Sequence, residues 1–299
     1  MTAAIEAHGL GRRFRRGGWA LKECSFRLPA GRICALVGRN GAGKSTLLAV
    51  AAGVLKPTEG TLTTPPREAV AYVAQDKPLY PRLTVAETLR MGADLNPGRW
   101  DATAAGKVVE AGGLDPAMRV RALSGGGRSR LALALALGKR PALLLLDEAL
   151  SDVDPLARRQ LLGTVLATVA EHGTTVLMSS HVLSELEDAC DHLLLIDGGR
   201  VRLGGSVDDL LRAHSLVSGP TRDLTPHTVI TARSTGRQLT ALIRPQGPWS
   251  TDGEGQDDGG GDGDSYVRAV EPTLEELLLA YLGAPHVPAL LTPAMEAAA

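Results

Sequence analysis

The sequence predicts an α/β fold built on a mostly parallel core sheet, and three observations predict it. Two short, unbroken apolar runs, Ile33-Cys-Ala-Leu-Val37 and Leu143-Leu-Leu-Leu146, have the length and composition of strands buried on both faces. Strand-like runs alternate along the chain with helical stretches, as they do where helices join parallel strands. The first apolar run also leads into a glycine-rich loop that opens a helix.

The first strand is bounded by Gly31 and Gly38, and Gly38 to Gly43 is a turn-rich loop. Small and apolar residues from Lys44 onward then form a helix that Gly53 ends. Val70-Ala-Tyr-Val73 reads as another strand. From Tyr80 to Leu123 the pattern is helical, with apolar positions at Val85, Leu89 and Val108, and Pro97 and Pro116 cut it into short pieces. Leu131–Leu137 is a helix, Leu143–Leu146 a strand, Leu156–Ala170 an amphipathic helix and Thr175–Met178 a strand. Ser184–Ala189 reads as a helix and Leu193–Ile196 as a strand that Asp197-Gly-Gly199 ends.

Composition shifts near Gly219, dividing the chain into a main domain, 1–218, and a C-terminal extension, 219–299. The extension holds strand-like pieces at Val229–Arg233, Leu239–Arg244 and Tyr266–Val270, and a helix at Thr273–Leu282. Thr251–Ser265 carries six carboxylates among many glycines. It has too little apolar surface to offset its ordering entropy and reads as a mobile loop, without the ligand spacing of an EF-hand.

The chain has 299 residues, near the size at which a second lobe splits from a single core. Its 32 basic and 33 acidic residues leave a net charge of −1, which lacks the basic footprint of a nucleic-acid-binding domain. No apolar run approaches the roughly 20 residues that span a bilayer. The start, MTAAIEAHGL, is no secretory signal. Cys24, Cys34 and Cys190 lack metal-site spacing, and their odd number suits a reducing compartment. These features together predict a soluble, cytoplasmic protein.

Gly38, Arg39, Asn40, Gly41, Ala42, Gly43, Lys44, Ser45 and Thr46 match G-x-x-x-x-G-K-[ST]. The glycines let successive backbone N–H groups turn inward as a nest for phosphate oxygens, and the helix that follows adds its positive end. Lys44 reaches the β- and γ-phosphates, and the Ser45 hydroxyl is placed to coordinate Mg²⁺. The leucine strand delivers Asp147 and Glu148 at its C-terminal edge, where ligands sit in open α/β sheets. Asp147 there serves the Mg²⁺ shell and Glu148 polarises the attacking water. A third motif, Leu123-Ser-Gly-Gly-Gly127, precedes a helix read from Arg128, so Ser124 and the glycines offer a hydroxyl and bare N–H groups to an anion.

These motifs, in order with Gln75 and His181, resemble the nucleotide-binding domain of ABC (ATP-binding cassette) ATPases over about residues 3–215. The resemblance implies a P-loop NTPase fold with an N-terminal antiparallel β part, a small helical lobe at about 80–135, and an appended C-terminal α+β piece. It implies ATP and Mg²⁺ as ligands, bound between two such domains arranged head to tail. Ser124, Gly125 and Gly126 then grip the γ-phosphate of ATP held by a second subunit. Phe14 lies where the family stacks an aromatic ring on adenine, with Trp19 as a competing candidate. Gln75 resembles the glutamine that touches Mg²⁺ and water and senses the membrane partner. Ser151-Asp-Val-Asp154 resembles the loop that crosses the dimer interface, and His181 the switch histidine on the γ-phosphate. Three departures stand out: Gly127 for a glutamine, Ala149 for a proline, and Asp152 for a small or neutral residue.

With Glu148 and His181 retained, the resemblance implies ATP hydrolysis that powers a separate transmembrane permease subunit, docked by the Gln75 loop and Pro78–Glu87. The chain would then lie on the inner face of the membrane. Val270–Tyr281 resembles the closing helix of ATPase subunits in bacterial drug- and lipid-export systems, which makes export the expected direction. Two alternatives carry less: an ATPase acting on ribosomes or nucleic acid, suggested by Arg12-Arg-Phe-Arg-Arg16, and a low-turnover nucleotide sensor, suggested by Gly127.

Overall fold

The computed structural model describes residues 2–179, 189–247 and 267–297. A seven-stranded sheet forms its centre. From edge to edge it runs β14 (Leu290–Leu291), β9 (Arg200–Ser206), β8 (His192–Asp197), β3 (Ile33–Val37), β7 (Thr175–Ser179), β6 (Leu143–Asp147) and β5 (Val70–Val73). The five strands from β8 to β5 are mutually parallel, and β9 turns back antiparallel to β8. Both apolar runs read from the sequence are wholly buried strands, which is why neither shows a polar alternation.

Successive residues of these strands supply two separate cores, one on each face of the sheet. Cys34, Leu36, Leu143, Leu145 and Leu194 pack with helix α1 (Lys44–Ala51) and with the antiparallel sheet of β1 (Ala3–Phe14), β2 (Gly18–Pro29) and β4 (Glu59–Thr63). Ile33, Ala35, Val37, Leu144, Leu146 and Leu195 face the helices of the opposite layer. Those are α2 (Val85–Leu95), α3 (Ala102–Glu110), α4 (Gly125–Gly138) and α5 (Pro155–His172). Trp100 wedges into the lobe formed by α2, α3 and α4. A Cβ at Gly92 or Gly138 would lie 2.7 or 2.6 Å from its ring, so both positions exclude larger residues.

The C-terminal extension is less separate than the shift in composition suggests. Strand β10 (Ser215–Pro220) runs across residue 218 and pairs with β12 (Gln238–Arg244) and β13 (Arg268–Val270); β11 (Thr228–Thr235) completes that sheet. The closing helix, Leu274–Gly283, is held at its start by a reciprocal cap between Thr273 and Glu276. Its Leu277, Leu278 and Tyr281 belong to the same core as Ala35 and Val37. The Arg202 guanidinium donates to the carbonyls of Ala284, Pro285 and Val287, and Met295 is buried beside Leu47 and Leu48. The tail is therefore tied to both layers, its helix to the one opposite α1 and Met295 to the one that carries α1. The acidic stretch Thr251–Ser265 and all of the expected Ser184–Ala189 helix except Ala189 lie outside the described residues.

Candidate functional site

The loop from Gly38 to Gly43 sits at the C-terminal end of β3 and leads into α1. Two of its glycines are required by close approach as well as by conformation. At Gly38, φ is +156° and a Cβ would overlap the carbonyl oxygen of Ile196; at Gly43, φ is +109° and a Cβ would overlap that of Ala20. The Lys44 side chain folds back over the loop. Its ammonium donates to the carbonyls of Gly38 at 2.7 Å and Arg39 at 3.2 Å, which leaves it buried at the head of the nest.

The parallel register places the ends of β3, β7 and β6 side by side and brings Asp147 against α1. The Ser45 hydroxyl donates to Asp147 Oδ1 at 3.1 Å, and the Ser179 hydroxyl donates to the same oxygen at 2.9 Å. Tyr72 donates to Asp147 Oδ2 at 3.4 Å; its burial, with the carboxylate beside it, pushes the phenol pKa up. Glu148 follows at φ +44°, a conformation non-glycine residues rarely take and one that clusters at functional sites. Its backbone N–H donates to Ser179 Oγ at 2.9 Å, and the Gln75 amide donates to its carboxylate at 3.2 Å.

A cavity of about 340 Å³ opens over this group, lined by Ala20, Asn40, Gly41, Gly43, Lys44, Ser45, Thr46, Gln75 and Glu148. Backbone donors, an ammonium and a carboxylate thus share one cleft, the arrangement that binds a phosphate chain and presents a base beside it. Ser45 lines the cavity and Asp147 lies buried behind it, so the two offer hard oxygen ligands, a donor set suited to Mg²⁺. Among the described residues no cluster of three His, Cys, Asp or Glu side chains exists that would hold a metal alone. An ion held here would need its remaining ligands from phosphate and water, as Mg²⁺ commonly does.

Other expected residues lie apart from this cleft. Phe14 is partly exposed at the tip of the β1–β2 hairpin, with Arg12 4.9 Å from its ring centre, and Trp19 packs on Gly11; neither ring lines the cavity. The Arg39 side chain turns away and donates to the Leu282 carbonyl of the closing helix at 2.6 Å. Asp154 caps α5, its carboxylate accepting from the Ala157 N–H. His181 lies outside the described residues.

Ser124, Gly125 and Gly126 also stand outside the cleft, at the start of α4. That helix begins at Gly125, three residues before the expected Arg128, because Ser124 Oγ accepts from the Gly127 N–H and caps it. Glycine's poor helix propensity conceals this in the sequence. Gly127 is buried, and a Cβ there would lie 3.4 Å from Leu114, Leu123 and Ser124 Oγ. The position therefore faces the lobe and the cap.

Three contributors carried no signal of their own. Ser179 and Tyr72 are ordinary strand residues until the sheet sets them on Asp147. Arg158 holds the turn after Glu148 by donating to the carbonyls of Leu150, Ser151 and Val153.

Fold and cleft together define a P-loop nucleotide hydrolase. Residues 21–151 match the family model described as ABC transporter. Aliphatic sulfonates import ATP-binding protein SsuB of Escherichia coli strain K12 is 40% identical over 200 residues, covering 63% of this chain and 75% of the relative. The protein of the same name from Shigella flexneri is 39% identical with the same coverage. A solved ATP-binding subunit of an ABC transporter superposes with a TM-score of 0.64 at 27% identity, over 71% of this chain and 92% of that one. The ATP-binding cassette MJ0796, in a dimeric post-hydrolysis state with ADP and Pi, shares the fold with a TM-score of 0.62 at 20% identity, over 68% and 98% of the two chains. This chain belongs to the family of ABC transporter ATP-binding subunits, and it is an ATPase of that family.

Proposed function

We propose that this chain forms half of each of two ATP sites and that a facing copy, or a close relative, completes them. The observation that carries the reading is a separation within one molecule. The cleft gathers the phosphate loop, Gln75 and Glu148, while Ser124, Gly125 and Gly126 lie at another helix start that contributes nothing to that cleft. In this reading the loop N–H groups and Lys44 hold the phosphates, and Glu148 takes a proton from the attacking water. Gln75 orients the Glu148 carboxylate through the bond it already makes. Asp147 and Ser45 would hold Mg²⁺, whose chemistry is to neutralise charge developing on the phosphate oxygens. His181 and Asp154 remain proposals from the family pattern, as does an adenine platform at Phe14.

ATP-driven closure of such a pair is a two-state switch, and its work is done on a separate membrane-embedded permease. No helix among the described residues is long and apolar enough to cross a membrane, which fits a peripheral subunit at the inner membrane face. The expected export direction gains no support from the relatives, which are named for import of aliphatic sulfonates. Direction and cargo belong to the permease. Nothing observed favours action on nucleic acid or a sensor role.

Glu148→Gln tests the reading. It should abolish steady-state hydrolysis while leaving Mg-ATP binding intact, and light scattering should then show an ATP-dependent dimer that Ser124→Arg prevents. A variant that still hydrolyses ATP as a monomer refutes it.

A further inference from the structure

Asp152 departs from the family pattern, and the structure gives it a partner. Lys77, two residues after Gln75, takes φ +45° and sends its side chain inward, where only 5% stays exposed. A buried ammonium needs a counter-charge, because desolvation otherwise destabilises it. Asp152 provides one at 2.8 Å, and the Lys77 ammonium in turn holds the Asp152 carboxyl below its ordinary pKa.

Asp152 also sits against Gly125 and Gly126, the signature glycines of the Leu123–Gly127 motif. A Cβ built on Gly125 would lie 3.1 Å from Asp152 Cβ, and one on Gly126 3.5 Å from the Asp152 carbonyl oxygen. The turn holding Asp152 starts at Glu148, with the Ser151 N–H donating to the Glu148 carbonyl, and Arg158 grips it from behind. Three functional loops therefore meet at one ion pair. One carries Gln75, one follows Glu148, and one presents Ser124. The pair also lines a cavity of about 500 Å³ together with Pro78, Arg121 and Arg128.

We propose that Lys77 and Asp152 are a positioning pair that holds the Gln75 loop, the turn after Glu148 and the signature glycines in one register, so that the base and the composite phosphate site align together. Neither residue touches the nucleotide cleft, and both act through Glu148 and Gly125. The inference rests on the reading of Glu148 as catalytic base.

The test is a double-mutant cycle on the full chain, with Lys77→Met, Asp152→Asn and the double variant assayed beside Glu148→Gln. Each single change should lower kcat roughly tenfold, a coupling of ordinary size, with KM for ATP within about twofold. The double variant should be no worse than the worse single one, and Asp152→Glu should recover most of the loss. Asp152 is more than half exposed, and an Asn carbonyl can still accept from the Lys77 ammonium, so Asp152→Asn should remain folded at the assay temperature with a Tm only a few degrees below the parent, even if Lys77→Met does not. Parental kcat in Asp152→Asn overturns the proposal, as do losses that multiply in the double variant or a fall in Tm that accounts for the lost rate. If Glu148→Gln retains hydrolysis, the catalytic reading fails instead, whatever the pair does.

Discussion

Ser179→Ala is the sharpest probe of how the sheet builds this site. The hydroxyl is buried and joins two bonds of 2.9 Å, donated to Asp147 Oδ1 and accepted from the Glu148 N–H. A bond to a charged acceptor contributes about 1.5–3 kcal/mol, and a buried donor left unpaired costs about 1–3 kcal/mol. The two losses share one network, so they combine to about 3 kcal/mol rather than to their sum. At roughly 2–3 °C per kcal/mol for a chain of this size, Tm should fall by about 8 °C. Glu148 depends on that bond to hold its left-handed backbone, so about half of the loss should reach the transition state, lowering kcat roughly tenfold. Thermal unfolding and steady-state ATP hydrolysis at saturating Mg-ATP measure the two effects. A Tm within about 1 °C of the parent, with kcat within about twofold, would refute the claim that Ser179 sets the Asp147 carboxylate and the Glu148 backbone, since those are the margins of an ordinary surface change.

Further outcomes follow from the same geometry. Lys44→Ala removes the ammonium that caps the loop carbonyls of Gly38 and Arg39, and calorimetry should show Mg-ATP affinity down by about a hundredfold. In Gly43→Ala the new Cβ would meet the Ala20 carbonyl and lie 2.9 Å from Leu21 Cδ2 at a strained φ, so a fluorescent ATP analogue should bind at least about tenfold more weakly. His214 is buried, bonded through Nδ1 to the Leu210 carbonyl and through Nε2 to the Tyr281 hydroxyl, and burial pushes its pKa down. The unfolded chain thus binds the proton more readily, so this contribution is fully present above about pH 6.5 and is lost as pH falls toward the lower folded value. Tm should decline on acidification through that window, and His214→Gln should flatten the decline; an unchanged slope would show that another group is responsible.

What the sequence determined by itself is local chemistry. Ile33–Val37 and Leu143–Leu146 announced buried strands because five or four apolar residues in a row suit no other short element near turn signals. The phosphate loop was legible because its glycines answer a backbone demand that the neighbouring strand and helix make plain. Elements without that contrast were not legible: β4 is almost wholly exposed, and the pairing of β1 with β2 shifts register several times, which blurs the alternation of both strands.

Tertiary structure decided everything that depends on which strand lies next to which. Setting β7 between β3 and β6 puts Ser179 on Asp147 and Glu148, although 31 residues of chain separate Ser179 from Glu148. The same folding joins Lys77 to Asp152 across 75 residues, and it returns the closing helix to Arg39 across 243. Composition marked the C-terminal extension as separate, yet Tyr281 and Met295 complete the two main cores, because burial depends on the surface a residue meets and not on its place along the chain.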